Sequence, residues 1–173
     1  MNRPYTFKTE YWQFFGYGDG WPPAKCEECY ELLDKHKKPN EHCINCWKLE
    51  IFYSNCTDLD AVKEYFLEEG KKDHTLHGKW SNFKMEVPRD LMTSIPEEGH
   101  PDEDVKEEGV ILIYTQSIEE RERRRKKIVD DLSARGLYKK DEISYRRGCL
   151  NFDQVIGNWK GWYDLDKDYE GEN

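Results

Sequence analysis

The stretch WKLEIFY carries the plainest pattern in the chain. Trp47, Leu49, Ile51 and Tyr53 alternate with Lys48, Glu50 and Phe52, which predicts a half-buried strand. In CTDLDAVKEYFLEEG, Thr57 or Asp58 caps a helix whose stripe is Leu59, Val62, Phe66 and Leu67, and Gly70 ends it. GKWSNFKMEV reads as a second strand, with Trp80, Phe83, Met85 and Val87 nearly alternating and an irregularity at Ser81–Asn82. From Pro88 to Gly109 no period survives; this Pro-, Gly- and acid-rich stretch reads as a long, mobile insertion.

GVILIYTQ is short, continuous and β-branched, the pattern of a central strand. Ser117 stands three residues before Glu120, a capping-box spacing, and the helix it opens runs through IEERERRRKKIVDDLSARG to Gly136. ISYRRGCLNF supplies a last strand, followed by the Gly-punctuated aromatic stretch QVIGNWKGWY and a frayed acidic tail. At the other end, Tyr5 to Phe15 reads as one strand closed by the turn GYGDGWPP. A short helix begins near Cys26 or Glu27, with Leu32, Leu33 and His36 on one side, and KPNEH stops it.

In order, residues 47–152 give strand, helix, strand, loop, strand, helix, strand. The expected fold is therefore α+β: a ferredoxin-like, split βαβ antiparallel sheet with two helices, preceded by a small four-cysteine zinc-binding segment. Three parts follow from this. Residues 1–46 form an aromatic strand, a loop and the four-cysteine segment; 47–163 form the sheet domain with its acidic insertion at 88–109; 164–173 form the tail.

Composition changes the picture in two ways. Charged residues make up 36% of the chain, as do hydrophobic ones, so the core depends on six Trp, eleven Tyr and seven Phe. A net charge of -9 repels phosphate and argues against a general nucleic-acid coat, though a local basic patch can override it. No apolar run reaches the roughly eighteen residues of a membrane span. The opening MNRPYTFKTEYWQFF lacks a secretory h-region, so a cytoplasmic protein with reduced thiols and no membrane partner is expected.

Those thiols are the strongest chemical signal. CEECYELLDKHKKPNEHCINC holds two Cys-x-x-Cys pairs, Cys26 with Cys29 and Cys43 with Cys46. Each such turn offers two corners of a sulfur tetrahedron, so together they predict a structural zinc with no open coordination position. Iron or an iron–sulfur cluster uses the same ligands, and a dithiol redox pair is a further alternative. Trp47 follows the second pair and packs over the sulfurs; His36 and His42 read as surface residues. A structural zinc would stabilise such a segment by about 10–16 kcal/mol.

The cationic signals are weaker. RERRRKK places Arg123, Arg124 and Lys126 on a solvated helix face, balanced by Glu119–Arg123, Glu120–Arg124 and Glu122–Lys126 spacings. Extending the stripe of Ile128 and Leu132 backward reaches Arg121 and Arg125, which then face inward and can meet an anionic ligand or partner. Arg146 and Arg147 flank Cys149 and would acidify it as a nucleophile; the alternative is a buried structural thiol, as for Cys56. His74 and His77 with Asp73 lack metal spacing, the tail lacks a calcium loop's Gly and closing Glu, and GYGDG lacks a dinucleotide fingerprint. Trp159 and Trp162 either stack on a partner or close a core.

These readings lead to a zinc-stabilised, non-catalytic binding module whose partner is a protein or a nucleic acid. Its contact surfaces are the basic helix and the Trp-rich C-terminal stretch. The alternative from another class is an enzyme that holds a phosphorylated or nucleotide substrate with Arg121, Arg125, Arg146 and Arg147, with Asp153 as base.

Overall fold

In the computed structural model, which describes residues 4–17, 23–36, 41–88, 105–149, 152 and 155–164, the sheet is centred on two wholly buried strands. β3 (Trp47–Phe52) and β7 (Val110–Thr115) pair antiparallel, with Leu49 opposite Ile113 and Ile51 opposite Ile111. The pattern of β7 predicts this central place. β3 differs from its half-buried expectation: both of its faces are covered, so Lys48 (3% exposed) and Glu50 (6%) are buried with its apolar residues.

The full sheet has six antiparallel strands in the order β1-β2-β4-β7-β3-β8. Its remaining members are β1 (Pro4–Lys8), β2 (Trp12–Tyr17), β4 (His77–Ser81) and β8 (Ser144–Arg147). β3 and β4, joined through one helix, flank β7, while β7 and β8, joined through another, flank β3. The expected single strand from Tyr5 to Phe15 is instead a hairpin. Thr9 closes its turn, its amide donating to the Trp12 carbonyl at 2.8 Å and its hydroxyl accepting from the Trp12 amide at 3.0 Å. The polar run Thr9–Glu10–Tyr11 cannot continue a buried strand, and bending there lets Phe15 reach the core.

The two joining helices lie on one face. α3 (Leu59–Lys72) buries Val62, Tyr65 and Phe66, and α4 (Ile118–Ala134) buries Ile128 and Leu132. Both pack on Leu49, Ile51, Ile111, Ile113 and Phe15 in one core. The caps follow the sequence: Asp58 accepts from the Ala61 amide, and Ser117 accepts from the Glu120 amide at 3.1 Å. Gly70 does not end α3; it is buried within the last turns, and Asp73 is the C-cap. Leu67, expected on the apolar stripe, is exposed, and Tyr65 takes that place. α4 ends at Ala134, and Gly136 turns the chain at φ 65°.

GKWSNFKMEV is not one strand. β4 stops at Ser81 with a bend at Asn82–Phe83, and β5 (Met85–Pro88) pairs with β6 (Val105–Glu108) in a separate ribbon. The last residues of the expected structureless insertion are therefore strand; residues 89–104 lie outside the described set.

α1 (Pro23–His36) starts earlier than expected because Pro23 suits a first helical turn, where its missing amide donor is not needed. Glu41 and His42, read as part of a helix stop, open a short helix, α2 (Glu41–Asn45). Both pack with a C-terminal 3₁₀ helix (Trp159–Asp164) around Trp47, through Cys29, Leu33, Cys43 and Trp162. The acidic tail beyond Asp164 lies outside the described residues. No helix among the described residues is long and apolar enough to cross a membrane.

Candidate functional site

Three thiols of the cysteine segment, those of Cys29, Cys43 and Cys46, are buried. Cys29 and Leu33 lie one turn apart on the buried side of α1, Cys43 is buried in α2, and Cys46 is buried just before β3. The second Cys-x-x-Cys turn is closed by the Cys46 amide donating to the Cys43 carbonyl at 3.2 Å. Cys26 belongs to α1 one turn before Cys29, but its side chain lies outside the described set. Leu33, Trp47, Phe152, Trp159 and Trp162 form one buried cluster with Cys29 and Cys43. Trp47 and Trp159 meet edge to face at 6.0 Å, and the Trp162 indole donates to the Gly157 carbonyl at 2.8 Å.

Sequence reasoning missed a further member, Cys149. The Gly148 amide donates to the Cys46 carbonyl at 2.7 Å, tying the end of β8 to the start of β3. Gly148 has φ 67°, and a Cβ there would fall 2.8 Å from the Trp162 ring and 3.2 Å from Cys43 Sγ. Lys48 Nζ donates to the Gly148 carbonyl at 2.6 Å and lies 3.0 Å from Cys149 Sγ. The available signal was strand pairing: if 47–52 and 144–147 are antiparallel neighbours, residues just before one and just after the other must meet.

Burial drives the Cys43 thiol far above its ordinary range, and the nearby thiols of Cys149 and Cys29 push it the same way, against Lys48. Burial also raises Cys46; Lys48 opposes this, Cys149 reinforces it, and Lys79 and Arg146 oppose it again. Among the described residues, no three Cys, His, Asp or Glu side chains are drawn closely enough together to hold a metal ion. Cys56 stands apart in the main core, with its thiol pushed up to about 11 by burial and by Glu108, the state of an inert structural thiol.

The arginines divide. Arg121 is buried, its guanidinium 3.9 Å from the centre of the Tyr145 ring and 4.4 Å from that of Trp47, and it pairs with Glu122 at 2.8 Å. Arg147 also lies over Trp47, and its Nε donates to the Ile44 carbonyl, fastening α2 to β8. Arg125 donates to the Ile143 carbonyl at 2.9 Å and pairs with Glu142 at 2.9 Å. Arg146 is opposite Lys48 in the ladder and so faces the other side of the sheet, within electrostatic reach of Cys46. Three of the four proposed phosphate ligands thus gather at the Trp47–Tyr145 pair, engaged by protein groups, and the fourth is separated from them.

Arg124, expected on the solvated face, is buried. It bonds Glu120 at 2.7 Å, Asp73 at 3.0 Å and the Thr75 hydroxyl at 2.7 Å. Lys126 pairs with Asp130 at 2.6 Å rather than with Glu122. Arg123 is exposed and lines an open cleft of about 580 Å³ with His74, Thr75, His77, Tyr114, Gln116 and Glu120. Trp159 (9% exposed) and Trp162 (2%) close the cysteine core and present no stacking platform. Asp153, the candidate base, lies outside the described residues.

The chain matches no protein-family model, no curated protein and no solved structure.

Proposed function

We propose that the protein is a metal-stapled, non-catalytic binding module. Cys26, Cys29, Cys43 and Cys46 hold a structural zinc, which fixes α1 and α2 against the β8 edge of the sheet. The observation that carries this reading is that Cys29 and Cys43, from separate helices, share one buried aromatic cluster, with Cys46 also buried at the start of β3. Isolated thiols do not require a shared pocket, whereas a metal site built from four cysteines does. The donor set fits: thiols suit zinc, and the cations Lys48, Lys79 and Arg146 near Cys46 offset the negative charge of a metal tetrathiolate. Each cysteine has a single side-chain torsion with which to bring its sulfur to a metal.

The sheet that this staple supports is, in this reading, a ferredoxin-like split βαβ unit over residues 47–147. The order β8-β3-β7-β4 and the helix-linked pairs that interleave within it support the assignment, with β1 and β2 added at the β4 edge. A protein is the favoured partner. The cations of α4 are largely matched by Glu120, Glu122, Asp130 and Asp131 within the chain, which leaves no row of bare charges to track a phosphate backbone.

The test is elemental analysis and an absorption spectrum of the chain purified without added metal. About one zinc per chain and a colourless solution support the reading. Iron with visible absorption replaces it with a cluster or electron-transfer site, and a metal-free chain favours a dithiol.

A further inference from the structure

We infer that the open cleft beside the first turns of α4 binds a carboxylate, with Arg123 as the group that pairs with it. The inference goes beyond the metal reading. No cysteine lines the cleft, whose walls come from β4, β7, the first turns of α4 and the loop after α3.

The cations of α4 single out this residue. Arg121 pairs with Glu122, Arg124 with Glu120 and Asp73, and Arg125 with Glu122 and Glu142. Lys126 pairs with Asp130, and Lys127 with Glu69 and Asp131. Of the run RERRRKK, Arg123 alone makes no ion pair or hydrogen bond among the described residues, although Glu119 stands four positions before it. It is exposed and lines a cleft of about 580 Å³, a size that admits a small molecule or one side chain of a partner.

The acids nearby are already committed to other donors. One oxygen of Glu120 accepts from Arg124 Nε at 2.7 Å and the other from the Gln116 amide at 2.9 Å. Asp73 accepts from the amide and hydroxyl of Thr75 and from Arg124. Arg124 thereby ties the loop after α3 to the first turn of α4 and fixes one wall. On the other side, His74 stacks on Tyr17 at 4.2 Å, and His77 is held at the start of β4, opposite Tyr114 in the ladder. Apart from Glu120, no lining residue is a carboxylate.

This arrangement selects the ligand's chemistry. A planar guanidinium takes a carboxylate through two parallel N–H···O bonds. One unmatched positive charge balances a monoanion. A phosphate dianion would keep excess charge beside Glu119 and Glu120, the acidic first turn of α4. A free monocarboxylate and an acidic side chain of a protein partner offer the same group.

The experiment is an NMR titration of the isotope-labelled full chain, read at the Arg123 Nε–H and at the backbone amides of Thr75 and Gln116. The probes, each taken to about 20 mM, are propionate, the capped pentapeptide Gly-Gly-Glu-Gly-Gly, its Gln counterpart and inorganic phosphate. Arg123→Gln is compared with Lys140→Gln, an equal charge change beyond the far end of α4. Propionate or the Glu peptide should shift these signals saturably. Arg123→Gln should weaken that binding at least about tenfold, and Lys140→Gln should leave it within about twofold. Tighter binding of propionate assigns a free carboxylate, and tighter binding of the Glu peptide a partner's side chain. No shift with either probe, equal binding of the Gln peptide, tighter binding of phosphate, or unchanged affinity in Arg123→Gln overturns the inference.

Discussion

Lys48 and Cys149, 101 residues apart in the chain, meet at 3.0 Å where the end of β8 folds back over the start of β3. The contact joins the two halves of the candidate site: the cysteine segment before the sheet and the aromatic stretch after it. Its neighbour Gly148 is the structural condition for that approach.

Gly148→Ala should therefore destabilise the fold by about 2–3 kcal/mol, combining a left-handed backbone position with overpacking against Trp162 and Cys43. Urea unfolding at fixed pH measures this. A loss within about 0.5 kcal/mol would show that the chain has room to relax there.

Neighbouring arginines of one helix should differ sharply. Arg121→Ala removes a buried cation from between Tyr145 and Trp47 and should cost about 2 kcal/mol, with a change in tryptophan fluorescence. Arg123→Ala, at an exposed position, should leave stability within about 0.5 kcal/mol of wild type. Equal effects of the two would contradict the placement of Arg121.

Asp73 predicts an acid response. Burial pushes its carboxyl upward, but the hydroxyl and amide of Thr75 together with Arg124 outweigh this and hold it below the usual range. A carboxyl whose folded value is depressed contributes stability that is present above the unfolded value, near about 4, and is lost as pH falls below it. Urea midpoints at pH 7 and at about pH 3 should fall less for Asp73→Asn than for wild type. An identical fall would show that Asp73 does not contribute to the acid response.

Much of this fold was legible because local pattern and tertiary environment agree. The continuous run of β7, the Ser117 cap of α4 and the Asp58 cap of α3 each express their final structure in a few adjacent residues. The pattern failed where tertiary pairing decided. Trp80, Phe83, Met85 and Val87 look like one strand, yet Phe83 sits at a bend and the last two join a different sheet. The N-terminal hairpin lacks the glycine that usually betrays a tight turn.

The candidate site divides in the same way. Cys29, Cys43 and Cys46 are each buried, and Cys149, which has no spacing relation to them, packs against the cluster that holds Cys29 and Cys43. Only the β3–β8 register brings it in. Arg124 lies four residues before Ile128, as good a position on the buried stripe as Arg121, but helical phase alone does not reveal that Asp73 and Thr75 wait there to receive it. Trp159 and Trp162 show how little an aromatic motif says about exposure: the same residues that suit stacking on a partner fill the cysteine core.

The most direct test of a metal staple is hydrogen exchange of the purified chain with and without a strong zinc chelator. The account predicts that backbone amides of residues 23–46 lose protection on chelation, because α1 and α2 are held to the sheet through the metal, while β3 and β7 keep theirs. An exchange pattern unchanged by the chelator in α1 and α2 would contradict it.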